Sequence, residues 1–237
     1  MDGYYFTFNG VDSRELGIRV VSMPPRIRPA RRYEEYTVPA RGGTARVWDG
    51  AYEAMSMPVG IYLPYEQGGS VAELEQIMRQ LDGTGWLTLS DRPGRWWATV
   101  TGSVDYSAWI QGFEDRTATV MFEADPWRYA NEPRTEVLTD AGAVQNDGTE
   151  AADPEITVTG SGDIVLMIGQ QITQLNGVAD GVVIDVPGGM ILTLDGEPIE
   201  NGLDGDMPVI EPGWNAVSWT GSVTSVKITY NERSIGC

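Results

Sequence analysis

The stretch TATVMFEA, residues 117–124, carries the pattern that decides the fold. Every second position in it is apolar: Ala118, Val120, Phe122 and Ala124. Because successive side chains of a β-strand point to opposite faces, this spacing puts all four on one face. The run ends at Asp125-Pro126-Trp127. The stretch therefore predicts a half-buried strand, and hence a sheet, in the first half of the chain.

The first half contains other short runs of strand character, separated by turn residues such as Asn9-Gly10 and Met23-Pro24-Pro25. We predict strands at Tyr4–Phe8, Leu16–Val21, Arg32–Val38, Met55–Leu63, Trp86–Leu89 and Arg95–Val104. Pro58 has no amide hydrogen to give to a sheet. Part of the run Met55–Leu63 is therefore expected at a sheet edge or a bulge.

One helix is predicted, at about residues 70–82. Ser70 is a good N-cap, and Glu73 completes a Ser-x-x-Glu capping box with it. Gly83 stands where a C-terminal cap belongs. The apolar residues recur at helical spacing: Val71, Leu74, Ile77, Met78 and Leu81. A short helix with one apolar face is expected to lie across a sheet.

The second half shows no helical pattern, only short strands with turn pairs between them. The predicted strands are Ile156–Val158, Ile164–Ile168, Val182–Val186, Met190–Leu194, Asn215–Trp219 and Ser225–Tyr230. The predicted turns include Gly160-Ser161-Gly162, Asn176-Gly177, Gly188-Gly189, Asp195-Gly196, Asn201-Gly202 and Pro212-Gly213. Such regular spacing predicts a β-sandwich. Since Asn131–Asp153 is rich in small and acidic residues, we place the domains at 1–133 and 134–237.

The residue inventory argues against an enzyme. The chain has no His, one Lys (Lys227) and one Cys (Cys237). It therefore lacks His-assisted nucleophiles and His-ligated metal sites, and it can form no internal disulfide. Its stability is expected to come from packing, which suits synthesis in a reducing cytoplasm. We expect no catalytic residue, no cofactor and no bound metal.

Two chemical alternatives compete with this interpretation. The acidic loop Asp195–Glu211 offers oxygen ligands for calcium, but its spacing is not that of an EF-hand and its glycines indicate turns. A glycosidase needs two opposed carboxylates, and among 34 acidic residues some pair is always close. Neither pattern points to a specific site.

The net charge of −18 is distributed unevenly. Residues 1–130 hold 13 Arg against 17 acids, whereas residues 131–237 hold 3 basic residues against 17 acids. So acidic a second half repels nucleic acid and anionic membranes. Asp2 stands where a signal peptide has basic residues, and no run approaches the ~18 apolar residues of a membrane span. We therefore expect a soluble protein without a signal peptide.

A group of arginines marks a candidate interface in the first half: Arg26, Arg28, Arg31, Arg32, Arg41 and Arg46. Nucleic-acid binding is disfavoured because Glu34, Glu35 and Asp49 interleave with them and no stacking platform is visible. Arginine favours paired contacts with carboxylates at interfaces. We predict a contact with acids of a neighbouring subunit, and a plain solvated face is the alternative.

Trp214 is the candidate sugar contact. Sugars stack on exposed aromatic side chains, and Trp214 follows the turn pair Pro212-Gly213. Trp219 lies in a predicted strand with Val217, where core packing is expected instead. A lectin-like adhesion module is thus the alternative to a structural docking protein.

The ordered motifs resemble the phage distal tail protein family. In the first half, the similar segments are Phe6–Ser13 with Glu15–Ile18, Tyr33–Gly43 with Ala40 in place of the usual Gly, Trp86-Leu87 with Leu89–Pro93, and Asp125-Pro126-Trp127. In the second half, they are Asn146–Gly148, Pro154–Val158, Gly160–Ile164, Pro208–Ile210, Pro212–Asn215 and Ser218-Trp219. Their joint order along nearly the whole chain is more specific than any one motif.

The resemblance implies a tail-tube-like first domain, with one packed helix, that forms a hexameric ring. It implies a galectin-like sandwich facing outward as the second domain. The implied location is the virion tail tip. The implied partners are other copies of the chain, the tail tube protein, the tape-measure protein, a tail-associated lysin or fibre, and a receptor-binding protein.

Overall fold

The computed structural model describes residues 3–37, 39, 42–62, 71–102, 117–199, 202–205 and 207–236. The chain divides into two compact units. The first comprises Met1–Arg128 and Ile235–Cys237, and the second comprises Tyr129–Ser234. The return of the last residues to the first unit was not expected from the sequence. The domain boundary between 133 and 134 remains a prediction about which segment folds independently.

The described residues of the first unit form antiparallel strands and one helix. Their bounds are β1 (Phe6–Phe8), β2 (Val11–Asp12), β3 (Arg19–Ser22), β4 (Arg31–Thr37), β5 (Thr44–Tyr52), β6 (Met55–Tyr62), α1 (Val71–Gln80), β7 (Thr84–Leu89), β8 (Arg95–Thr101), β9 (Thr117–Ala124) and β10 (Trp127–Tyr129). The main sheet runs in the order β2-β1-β7-β8-β9-β6-β3. Among the described strands, β4 and β5 pair only with each other, in a separate two-stranded sheet.

Strands with alternating apolar and polar side chains form the core of the first unit. The four apolar residues of the 117–124 stretch are all buried in β9. They pair in register with β6, whose Met55, Met57, Val59 and Ile61 are buried opposite them. Phe122 contacts the rings of Phe6 and Phe8 edge-on, at centroid distances of 5.7 and 5.2 Å. Such aromatic contacts add to the burial of apolar area.

The helix and the proline both fall where the sequence predicts. Ile77 and Leu81 of the α1 region belong to the buried core, and Met78 packs against it. Ser70 lies outside the described residues, as do the side chains of Val71 and Leu74. Strand β3 pairs with residues 60–62 of β6, so at Pro58 the strand has β9 on one side only. That open side accepts a residue without an amide hydrogen.

The second unit contains only strands among its described residues. They are β11 (Arg134–Leu138), β12 (Gly142–Asn146), β13 (Glu155–Ile168), β14 (Gln171–Val178), β15 (Gly181–Asp185), β16 (Met190–Thr193), β17 (Leu203–Asp204), β18 (Gly213–Tyr230) and β19 (Arg233–Ile235). The last of these reaches the division between the units.

Two long bent strands, β13 and β18, form the centre of the second unit. Residues 155–159 of β13 pair with β15, whereas its residues 162–168 pair with β14. Strand β18 likewise pairs with β12 through residues 213–217 and with β11 through residues 226–230. One layer therefore runs β16-β15-β13-β18-β11 and the other runs β17-β14-β13-β18-β12. Their inward side chains form a single buried cluster, so the predicted sandwich and the mainly-β fold class are confirmed.

Two local predictions for the second unit are wrong. Gly160-Ser161-Gly162 is not a turn but the bend of β13, where Gly160 pairs with Val223 and Ser161 with Ser222. Asn176-Gly177 lies within β14 instead of between strands. The two strands predicted on either side of Gly160–Gly162 are one continuous strand, β13. The two strands predicted on either side of Thr220–Thr224 are likewise one continuous strand, β18. Glycine permits the close approach at the bend, because a Cβ on Gly160 would lie 3.0 Å from the Val223 Cα.

Candidate interaction site

The candidate arginines gather on and before the two-stranded sheet of β4 and β5, which we call the β4–β5 ribbon. Arg31, Arg32 and Arg46 lie on the ribbon, and Arg26 and Arg28 precede it. Arg41 lies outside the described residues. All seven residues of β4 are exposed. The ribbon is thus a surface element, as an interface requires.

The ribbon pairs its own charges. Arg46 Nε donates a 2.7 Å hydrogen bond to Glu35 Oε1 directly across the two strands. Arg32 forms an ion pair with Asp49, and the Arg32 guanidinium lowers the pKa of that carboxyl below its usual value. Arg32 and Arg46 therefore have acidic partners within the ribbon itself. Their predicted pairing with a neighbouring subunit remains a prediction.

The other arginines of the group are used differently. The Arg31 guanidinium lies 4.5 Å from the centroid of the Trp48 ring, a cation–π arrangement. Arg26 Nη2 donates a 2.7 Å hydrogen bond to the Asp91 carbonyl and lies 3.9 Å from the Asp91 carboxylate, outside the ribbon. Arg28 is exposed and forms no ion pair with any described residue.

The ribbon also exposes large apolar side chains, which sequence reasoning did not single out. They are Tyr33, Tyr36, Val47 and Trp48, between 42% and 55% exposed. Tyr33 and Trp48 stand opposite each other in register, as do Glu34 and Val47. The signal that could have found them is the glycine pair at 42–43 between two strand-like runs, which indicates a hairpin. Strand β5 itself was missed.

The base of the ribbon is anchored to the first unit. The Tyr52 ring contacts the rings of Trp48 and Trp127 edge-on, at centroid distances of 5.8 and 5.7 Å. The Glu53 amide donates a 2.8 Å hydrogen bond to the Ala30 carbonyl. A two-stranded hairpin is marginally stable alone in water, so an exposed one gains from a partner surface. The arrangement can serve as a contact arm.

Trp214 is exposed, as predicted. It is 72% exposed at the start of β18, opposite Gln145 of β12. Trp219 packs against the core, also as predicted. Tyr230 is buried, and its hydroxyl donates a 2.7 Å hydrogen bond to the Gln145 carbonyl. Trp214 is therefore the aromatic of these three that a saccharide could reach.

The described residues contain no group of three or more Asp, Glu or Cys side chains placed to hold a metal ion. No helix in the described ranges has the length and hydropathy that crossing a membrane requires. The acidic loop that offered calcium ligands is described only in part, since Asp206 and Glu200 lie outside the described residues.

Comparison with known proteins identifies a solved structure with a similar fold. No protein-family model matches the chain, and no curated protein sequence is significantly similar to it. The structure matches the crystal structure of the Dit protein of phage SPP1, which is described as a paradigm of the hub adsorption apparatus in phages that infect Gram-positive bacteria. The TM-score is 0.73 at 16% identity, over 98% of this chain and 99% of that chain. The resemblance to phage distal tail proteins is thereby confirmed at the level of the fold.

Proposed function

We propose that this chain is a structural hub of the tail tip of a phage or a phage-related particle. The observation that carries the proposal is the match of the whole fold, both units in order, to a hub protein. The ordered sequence motifs support it independently, because they depend on the sequence alone. The role is architectural and not enzymatic.

The finer proposal is a hexameric ring that joins the tail tube to the baseplate components. The tube protein, the tape-measure protein, a tail-associated lysin or fibre and a receptor-binding protein are the proposed partners. The galectin-like second unit would serve as the docking module. Support comes from the β4–β5 ribbon, whose exposed Tyr33, Val47 and Trp48 make it suited to contact a second copy.

Val47 offers the sharpest test of this ring. It is 55% exposed, and its partner in register on β4 is Glu34. Val47→Glu therefore adds a negative charge next to Glu34 at the proposed contact, without removing an ion pair. If the ribbon contacts a neighbour, the variant shifts the mass in solution from hexamer toward monomer. Thr44→Glu, on the same strand, is the matched control for added charge at the ribbon end. A hexamer that survives Val47→Glu would exclude this face of the ribbon as the contact.

The arginine group is tested by Arg31→Glu combined with Arg32→Glu. We expect weaker ring formation, both from lost contacts to a neighbour and from the broken Arg32–Asp49 pair. Arg19→Glu with Arg79→Glu reverses the same number of charges away from the ribbon and is the control. Unchanged oligomers in the ribbon variant would overturn the interface role of these arginines.

A lectin-like adhesion module is the second candidate, favoured by the 72% exposure of Trp214. It predicts saturable binding on a glycan array that disappears with Trp214→Ala. Trp97→Ala is the control, because Trp97 is another exposed tryptophan, on β8 of the first unit. An array without signal for the native chain would exclude the lectin role.

A further inference from the structure

The second unit contains a cavity of about 450 Å³ that the hub proposal does not use. One side is formed by the end of β14 and the connection to β15, residues 176–182. Opposite lie Thr193, Leu194 and Asp195 at the end of β16, with Ile199 and Gly202. Its volume falls within the range of about 300–1,000 Å³ that is usual for ligand sites.

The inner wall of the cavity is apolar. Val182 is 2% exposed, and Ile199 packs against the buried cluster of the second unit. Leu194 is 47% exposed although it borders the cavity. A half-exposed leucine beside a cavity gains hydrophobic stabilisation when an apolar group covers it.

The charge at the cavity is negative and uncompensated. Asp180 and Asp195 both line it, and among the described lining residues there is no Lys or Arg. Within the described part of the chain, neither carboxylate takes part in an ion pair. Of the three basic residues of this unit, Arg134 and Arg233 are paired with Glu232 and Asp153, and Lys227 is exposed on β18 and does not line the cavity. The cavity is thus complementary to a cation.

The walls are held in place before any ligand binds. The Gly160 amide donates a hydrogen bond to the Asp180 carbonyl at 3.2 Å, and the Gly196 amide donates one to the Thr193 carbonyl at 3.0 Å. A Cβ on Gly181 would lie 2.9 Å from Leu194 Cδ1, so only glycine leaves Leu194 its present position. A preformed site loses less entropy on binding.

We propose that this cavity binds an arginine or lysine side chain presented by a partner protein. The aliphatic stem of such a side chain fits Val182, Leu194 and Ile199, and its charged head fits the two aspartates. The part of the lining that the structure describes includes no aromatic residue on which a sugar could stack. Met190, at the start of the strand that leads to Leu194, is a second exposed apolar side chain at 46%, and a polypeptide can cover both residues whereas a small amine cannot.

The existence of such a partner rests on the proposed hub role, but binding at the cavity can be measured without a ring. Calorimetric titration of the full chain with the peptide acetyl-Leu-Arg-Leu-amide is the test. The matched probe is acetyl-Leu-citrulline-Leu-amide, which keeps the shape and loses the charge. We expect saturable binding of the arginine peptide, weaker by about tenfold for the citrulline peptide. Equal binding of both peptides, or of neither, would overturn the proposal.

Variants then locate the binding. Asp180→Asn with Asp195→Asn is expected to weaken the arginine peptide by about tenfold or more. Asp140→Asn with Asp204→Asn removes the same charge at two exposed positions that do not line the cavity, and should change affinity little. Unchanged affinity in the cavity variant would overturn the site. Agmatine binding as tightly as the peptide would overturn the polypeptide partner.

The mass of each sample in solution is recorded in the same experiment. Peptide binding by a chain that forms no ring would keep the cavity proposal and count against the hexamer. A ring that binds no peptide would support the hexamer and overturn the cavity proposal.

Discussion

The side-chain amide of Asn146 donates a 2.8 Å hydrogen bond to the main-chain carbonyl of Ile210, although the two residues are 64 positions apart. Asn146 Nδ2 also donates to the Glu150 carbonyl, and its Oδ1 accepts from the Gly148 amide. One buried side chain thus ties the turn after β12 to the segment before β18. Asn215 acts similarly, since its amide group bonds both the NH and the carbonyl of Glu211.

Asn146→Ala should therefore destabilise the second unit by about 2–3 kcal/mol, because it leaves buried main-chain groups unpaired. Asn131→Ala, at an exposed position, is the matched control and should change the free energy of unfolding by less than about 0.5 kcal/mol. Urea denaturation followed by circular dichroism measures both. A loss no larger than that of the control would show that water replaces these bonds.

Arg92 should be far more important for stability than its charge suggests. Its side chain is 2% exposed and bonds Asp91 through two nitrogens, at 2.9 and 2.8 Å, and the Pro24 carbonyl at 2.6 Å. Arg92→Ala leaves the Pro24 carbonyl unpaired and the Asp91 carboxylate with only Arg26, 3.9 Å away, so we expect a loss of about 2–3 kcal/mol. Arg14 makes a similar two-nitrogen contact to Asp12 but is 55% exposed, and Arg14→Ala should cost under about 1 kcal/mol. Similar losses from the two variants would contradict the role of burial.

The same pair predicts a pH dependence. The hydrogen bond from Arg92 lowers the pKa of the Asp91 carboxyl below its ordinary value of 3.8. As pH falls through 3.8, the unfolded chain takes up this proton before the folded chain does, so stability declines until the lowered pKa is passed. Unfolding midpoints measured over about pH 2 to 5 should show this decline, and Asp91→Asn should reduce its slope. An unchanged slope would mean that other carboxylates dominate.

Asp125 is expected to behave in the opposite sense. Asp125 is exposed, but partial desolvation by its neighbours raises the pKa of its carboxyl above 3.8. The folded state therefore holds this proton to higher pH, and its contribution to stability is lost as pH rises through the raised pKa. Asp125→Asn should remove the loss of stability above pH 3.8 and leave the decline of stability below pH 3.8 unchanged. If the variant changed only the decline below pH 3.8, Asp125 would not be the carboxyl whose pKa is raised.

Gly160→Ala should disrupt the bend of the two long strands. The added Cβ would lie 3.0 Å from the Val223 Cα and closer still to the Ser222 carbonyl oxygen, both of them backbone atoms that cannot move aside separately. We expect a loss of about 1–3 kcal/mol, the usual cost of forcing atoms into a packed site. At Gly42 a Cβ meets nothing within 4 Å, so Gly42→Ala is the control. Equal unfolding midpoints would show that the bend adjusts.

Strand positions could be predicted where the signal is local. The alternation in 117–124 and the helical spacing around Ile77 each describe one element and its buried face, and both are confirmed. The bend at Gly160–Gly162 could not be predicted, because glycines in a turn and glycines at a strand crossing look alike in sequence. Only the pairing with Val223 and Ser222 distinguishes them.

For the candidate site too, the local pattern could be predicted from the sequence and the long-range pairing could not. The sequence showed that arginines and acids share one stretch, but not that Arg46 meets Glu35 and Arg32 meets Asp49. Those pairs depend on strand β5 folding back on β4, which sets partners 11 and 17 positions apart side by side. The exposed aromatic residues of the ribbon became visible for the same reason.

By itself, the sequence determined that this protein is β-rich with one helix, that it lacks histidine chemistry, and that its second half is strongly acidic. These properties depend on composition and on periods of two or 3.6 residues, which a single segment already contains. Tertiary structure alone decided that β13 and β18 each run through two layers, that Asn146 holds Ile210, and that Asp180 and Asp195 border one cavity. Those relationships join residues far apart in the chain, and their geometry is set by strand register and packing, which no local pattern encodes.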